Sequence, residues 1–96
     1  MSPEPPETSN LRLFADHGSE SPLWGIGKVD PATLSLSRET RASLKAFAEF
    51  FNIHCLPERG WDEPASEAFY VREGERLTEE VRAELGPAVT VTFIYS

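Results

Sequence analysis

The chain has 96 residues, 40% of them hydrophobic, with six Phe, two Trp, a single Cys and a formal net charge of −7. That length fits one domain around one core and excludes a second independent core, while the aromatic content is enough to build the core without disulfides or metal. So acidic a surface repels a phosphate backbone, which argues against nucleic-acid binding, and it favours encounter with a basic protein.

Residues 1–9 hold three Pro, two Glu, two Ser and a Thr. This mixture buries too little apolar surface to offset its ordering entropy and reads as a flexible tail. It also lacks the basic and apolar regions of a secretory leader, and no run approaches the ~20 apolar residues a membrane span needs. Together with the unpartnered Cys55, these features make a reducing cytoplasm the expected compartment and leave a membrane out of the expected partners. Leu11-Arg-Leu-Phe14 is short and partly alternating, and it stops at Asp16-His-Gly18; it reads as a first strand. Residues 19–36 are punctuated by Pro22, Gly25, Gly27 and Pro31, with room for a brief extra strand over 24–29.

Ser37 is placed to cap a first helix, with Glu39 near the positive end of its dipole. Leu44, Phe47, Ala48 and Phe51 then form a stripe at i, i+3, i+4 and i+7 that must face a core, and Asn52 ends the helix ahead of Pro57. After a loop from Glu58 to Pro64, a second helix starts between Pro64 and Ser66. Its apolar line is Tyr70, Gly74, Leu77, Val81 and Leu85. A buried Gly74 implies close approach of the first helix or the sheet. Gly86-Pro87 stops the helix, and Val89-Thr-Val-Thr-Phe-Ile-Tyr95 is the clearest strand in the sequence, with Val89, Val91, Phe93 and Tyr95 on one face. The expected fold is therefore α+β, one domain over residues 10–96 in which a small sheet of N- and C-terminal strands packs against two helices in the order β-α-α-β. The relative direction of the terminal strands stays open at this point.

No hydrolase elbow, phosphate loop, zinc-protease motif or dinucleotide fingerprint is present, and no catalytic, cofactor or metal residue is assigned. The one set resembling metal ligands, His54-Cys55 with Asp16 and His17, lacks the paired spacing of structural zinc sites. The acidity is regional: residues 58–96 carry nine acids against four bases, whereas residues 10–57 carry five of each. On the second helix Arg76 can pair with Glu79 and Glu80, but Glu75 with Glu79 and Glu80 with Glu84 are like-charge neighbours, which helix stability alone does not favour. Trp61 stands beside Asp62 and Glu63, a composition suited either to sealing a core edge or to anchoring an interface. The candidate partner-binding residues are thus Trp61, Asp62, Glu63, Glu67, Glu73, Glu80 and Glu84.

Ser21-Pro-Leu-Trp24, the Leu34-Ser-Leu-Ser37 segment ahead of an aromatic amphipathic helix, and Gly74-Glu-Arg-Leu77 running to Arg82-Ala-Glu-Leu-Gly86 before a last strand resemble a loose group of small bacterial proteins of about this length. The resemblance spans nearly the whole chain from residue 10. It rests on packing and capping residues, so it implies the fold and a bacterial cytosolic origin and carries over no functional residue. Size and charge together point first to a non-enzymatic protein-binding module, of the kind that serves as an immunity or inhibitor-like protein against a basic partner. A small-molecule-binding or minor enzymatic domain with a pocket near Trp24, His54 and Cys55 is the second reading, and a self-associating structural subunit is the third.

Overall fold

A computed structural model describes residues 10–25 and 27–95; the tail expected at residues 1–9 lies outside the described residues. The chain runs β1 (Asn10–Leu13), β2 (Leu23–Trp24), β3 (Lys28–Val29), a 3-10 turn (Pro31–Thr33), α1 (Arg38–His54), β4 (Cys55–Leu56), β5 (Gly60–Trp61), α2 (Pro64–Leu85) and β6 (Thr90–Phe93). The α+β architecture of two helices packed on a sheet that joins the N- and C-terminal strands is as expected. The sheet order is β3-β2-β1-β6. β1 pairs antiparallel with β2 and parallel with β6, with Asn10 opposite Thr90 and Leu13 opposite Phe93. The expected extra strand over 24–29 is instead two short antiparallel strands, Leu23 facing Val29. A second hairpin, Cys55 paired with Trp61 and Leu56 with Gly60, occupies what the sequence presents as plain loop.

Both helices follow their stripes. Ser37 caps α1 by accepting the Thr40 N–H at 3.1 Å, and the helix buries Thr40, Leu44, Phe47 and Ala48. It continues past Asn52 to His54, because the break comes from pairing of Cys55 in the hairpin rather than from the Asn side chain. α2 buries Ser66, Tyr70, Gly74, Leu77, Thr78 and Val81. It ends at Gly86, whose φ of 85° lies in the left-handed region that a side chain disfavours. Leu11 and Leu13 from β1, Leu23 from β2, Val91 from β6, and Leu44, Leu77 and Val81 from the helices are each 1% exposed or less. Each such side chain contributes about 1.5–3 kcal/mol through burial, so this meeting of sheet and helices is the main source of stability. Gly74 is explained by the sheet: a Cβ there would run into the ring of Phe93 on β6. β6 is an edge strand, and Arg82 of α2 reaches the Val91 carbonyl at 2.7 Å, occupying one of its backbone acceptors. Among the described residues no helix is long and apolar enough to cross a membrane.

The helices also hold each other end to end. Glu84, near the C-terminus of α2, accepts the Ser37 N–H at 2.6 Å and the Ser37 hydroxyl at 3.0 Å, and takes the Thr40 hydroxyl as well. In a capping box the third residue of the same helix supplies this carboxylate; here it comes from 47 residues away. These hydrogen bonds, led by that of Thr40, hold the Glu84 carboxyl below the usual glutamate range. The hydroxyl of Ser66, followed by the His54 ring, does the same for Asp62. A carboxyl whose folded pKa is depressed stabilises the fold above its unfolded pKa and loses that contribution as pH falls through the folded value. Thermal stability is therefore expected to drop as the pH falls below about 4.3, the ordinary glutamate value. Glu84→Gln is expected to cost about 1 kcal/mol near neutrality and to flatten the acid-side loss. Melting curves of both proteins from pH 7 to pH 3 check this, and parallel pH profiles would remove Glu84 from the account.

Candidate functional site

The topology gathers several chain segments at one end of the molecule. α1 ends there and α2 begins there, joined by the β4–β5 hairpin. β1 and β6, running parallel, both deliver their C-terminal ends to it. Cross-links tie these segments together. The Asp62 N–H donates to the His54 carbonyl at 2.8 Å and the Ile94 N–H to the Leu13 carbonyl at 3.0 Å. The His17 Nε2 meets the Cys55 carbonyl at 2.7 Å, and the Tyr70 hydroxyl accepts the buried Ala15 N–H at 2.9 Å. Tyr70 is the hub of an aromatic cluster: its ring centroid lies 4.6 Å from Phe47, 5.1 Å from Trp61, 5.5 Å from Phe51 and 5.9 Å from Tyr95. Burial pushes its phenol above the usual tyrosine range.

Outside this buried cluster the same end presents apolar side chains to solvent. The exposed large hydrophobics among the described residues are Ile53 at 67%, and Leu56, Phe69, Ile94 and Tyr95 at 41–43%. Ile53 closes α1, Leu56 sits in the hairpin, Phe69 lies in the second turn of α2, and Ile94 and Tyr95 follow β6. Phe69 stands 4.7 Å from Phe50, which stands 4.3 Å from the His54 ring, so part of the surface is a continuous aromatic ledge across both helices. Apolar side chains gathered in this way mark interaction surfaces more often than singly scattered ones do.

A family model described as Serratia CdiI immunity protein-like matches residues 9–96. The chain belongs to that family. A comparison with curated proteins finds no match.

In this member of the immunity protein-like family, the sequence-selected residues fall into two groups. Trp61, Asp62, Glu63 and Glu67 come together at the aromatic end. Trp61 is half-buried and packs its edge on Phe51 at 5.7 Å, so it seals the core. Asp62 meets His54 Nδ1 at 2.6 Å, Glu63 is exposed with no side-chain cap bond, and Glu67 accepts the Tyr95 hydroxyl. Glu73, Glu80 and Glu84 lie further along α2 and are engaged within the molecule. Arg76 sits between Glu73, at 3.0 Å through Nε, and Glu80, at 3.6 Å, while Arg82 meets Glu79 at 2.7 Å. The like-charge spacing along α2 is thus relieved by interleaved arginines and by the use of Glu84 as a cap for α1. The exposed Ile53, Phe69 and Ile94 are absent from the sequence selection. Their signal is that Ile53 and Phe69 fall off the buried stripes of their helices, and that Ile94 lies on the outer face of the last strand.

Other chemistry finds little geometric support. His54 turns its ring to Asp62, and His17 meets the carbonyl of Cys55 rather than its thiol. Burial, reinforced by Glu67 and Asp62, raises the Cys55 thiol pKa, keeping it protonated and weakly nucleophilic near neutrality. Among the described residues no group of three or more His, Cys, Asp and Glu is placed to hold a metal ion. A surface hollow of about 350 Å³ lies between Lys28, Asp30, Arg41 and Lys45, and is not lined by Trp24, His54 or Cys55.

Proposed function

We propose that this chain is an immunity protein that neutralises a toxin by binding it, without catalysis of its own, and that the toxin's contact surface is basic. The match to the immunity protein-like family across residues 9–96 carries this reading. The net charge of −7, concentrated after residue 57, supports the basic partner, because complementary charge speeds encounter. The free Cys55 is compatible with a reducing cytoplasm as the place of action.

Growth of a host expressing the candidate toxin domain, with and without this chain, tests the function. Rescue of growth together with a stoichiometric complex is expected, and a toxin that stays lethal despite full expression of folded chain would sink the proposal. Binding measured across salt tests the charge. Kd is expected to rise at least several-fold between 0.05 and 0.5 M NaCl, ~14 to ~4 Å in screening length. Glu73→Lys with Glu80→Lys is expected to slow association several-fold with little change in dissociation, since these paired acids act at a distance. Salt-independent binding would remove the basic partner and leave the immunity reading standing.

A further inference from the structure

We propose that the toxin docks on the aromatic end of the molecule, with Leu56, Phe69 and Tyr95 as apolar contacts inside an acidic rim formed by Glu58, Asp62, Glu63 and Glu67; this rests on the immunity reading above. Three observations select this end over the acidic flank of α2. First, Leu56 in the hairpin, Phe69 in the second turn of α2 and Tyr95 after β6 are exposed large hydrophobics on elements that meet at this end. Second, the negative charge here is less compensated. Between His54 and Phe69 four carboxylates face a single arginine, Arg59, and neither Glu58 nor Glu63 has an ion pair among the described residues. Further along α2, Glu73, Glu79 and Glu80 are paired with arginines and Glu84 is spent on the α1 cap, which leaves Glu75 as the acid without an ion pair there among the described residues.

Third, the ledge is held in place before any partner arrives. His54 and Asp62 clamp the hairpin, Tyr95 is tied to Glu67, and Phe69 leans on Phe50 above a packed aromatic core. Side chains already ordered lose little conformational entropy on binding, which favours affinity. The occupant this surface fits is a protein face with an apolar centre ringed by Lys and Arg. The exposed aromatics supply the short-range, water-excluding contacts, and the carboxylates supply steering and register.

The probe is the purified toxin domain whose growth inhibition the wild-type chain relieves. Leu56→Ser with Phe69→Ser is expected to raise Kd about 100-fold, mainly through faster dissociation, because truncation at each of two contact side chains costs tenfold or so. Glu58→Lys with Glu63→Lys is expected to raise Kd at least tenfold and to reduce the salt dependence. The distant Arg41→Glu with Lys45→Glu, which only adds negative charge, is expected not to weaken binding. Circular dichroism and melting on every variant separate lost binding from lost folding, and the exposed serine and lysine sites are chosen to keep the fold. If wild type binds tightly while the Leu56 and Phe69 pair binds equally well, the docking surface is overturned and the immunity reading stands. If sedimentation shows a dimer that this pair dissolves without affecting toxin affinity, a second copy covers the surface and the proposal is overturned in that way. A wild-type chain that binds no toxin overturns both.

Discussion

Gly74→Leu is expected to lower stability by about 2–3 kcal/mol, and the melting temperature by about 10–15 °C. The backbone of α2 at Gly74 lies against the ring of Phe93, where even a Cβ has no room. A larger side chain must drive Phe93 off its contacts with Tyr70 and Tyr95, whose centroids lie 6.0 and 6.1 Å away. Helix propensity works the other way, since leaving glycine gains ~1 kcal/mol, so Gly74→Ala isolates the clash from the propensity. Gly74→Ala is expected to be destabilising by about 1 kcal/mol in the wild type and neutral or stabilising once Phe93→Ala has removed the obstructing ring. That change of sign in a double-mutant melting cycle is the decisive readout. A stabilising Gly74→Ala in the presence of Phe93 would mean the ring yields freely and that close packing does not explain the glycine.

The second large effect is expected at Tyr70. Its ring touches four or more aromatic neighbours, so Tyr70→Ala removes the hub of the cluster and should cost about 4 kcal/mol, a large share of the stability of a domain this size. Tyr70→Phe keeps the ring and removes one oxygen, but that oxygen is the acceptor for the Ala15 N–H, which would be left buried and unpaired. The expected cost is about 1–3 kcal/mol, measured by urea unfolding. The phenol adds a signature in pH. Because burial raises its folded pKa, the stability it supports is present below the unfolded value of ~10 and is lost as pH rises beyond it. Tyr70→Phe should therefore be less stable at neutrality yet fall off less steeply in alkali. Equal urea midpoints for Tyr70→Phe and wild type would show that water replaces the lost acceptor.

What the sequence made legible was local chemistry. The Ser37 cap, the α1 stripe through Leu44 and Phe47, and the Gly86 stop each depend on residues within one or two turns, and the structure places them as read. The burial of Gly74 was legible from spacing, but its neighbour, the sheet, was one of two options, and Phe93 as the contact was not read. The β4–β5 hairpin was hidden because two-residue strands have no periodicity, and Pro57 and Gly60 punctuate it like any loop. The parallel direction of β1 and β6 depends on a pairing across the whole chain. Of the candidate site, the acids around Trp61 were visible by composition. Glu84 was visible as an acid but not as a cap, since its partners lie on another helix. The exposed apolar ledge went unread because Phe69 and Ile53 count as ordinary hydrophobics until the burial of their neighbours shows which face each helix turns inward.

The pairing of β1 with β6 also governs when the protein can exist. Asn10 meets Thr90 across 80 residues of chain, and the central strand of the sheet gains its second neighbour only from the last strand to be made. As the chain leaves the ribosome, α1 and α2 can form early, but β1 must wait with one edge bare until residue 93 is free. The folded state is thus delayed until Phe93 has been made, and a nascent chain stalled after Gly86 would expose that bare edge to its neighbours. Any role for the aromatic end therefore belongs to molecules extended past Phe93, because shorter ones lack the β1–β6 pairing that sets that end in place.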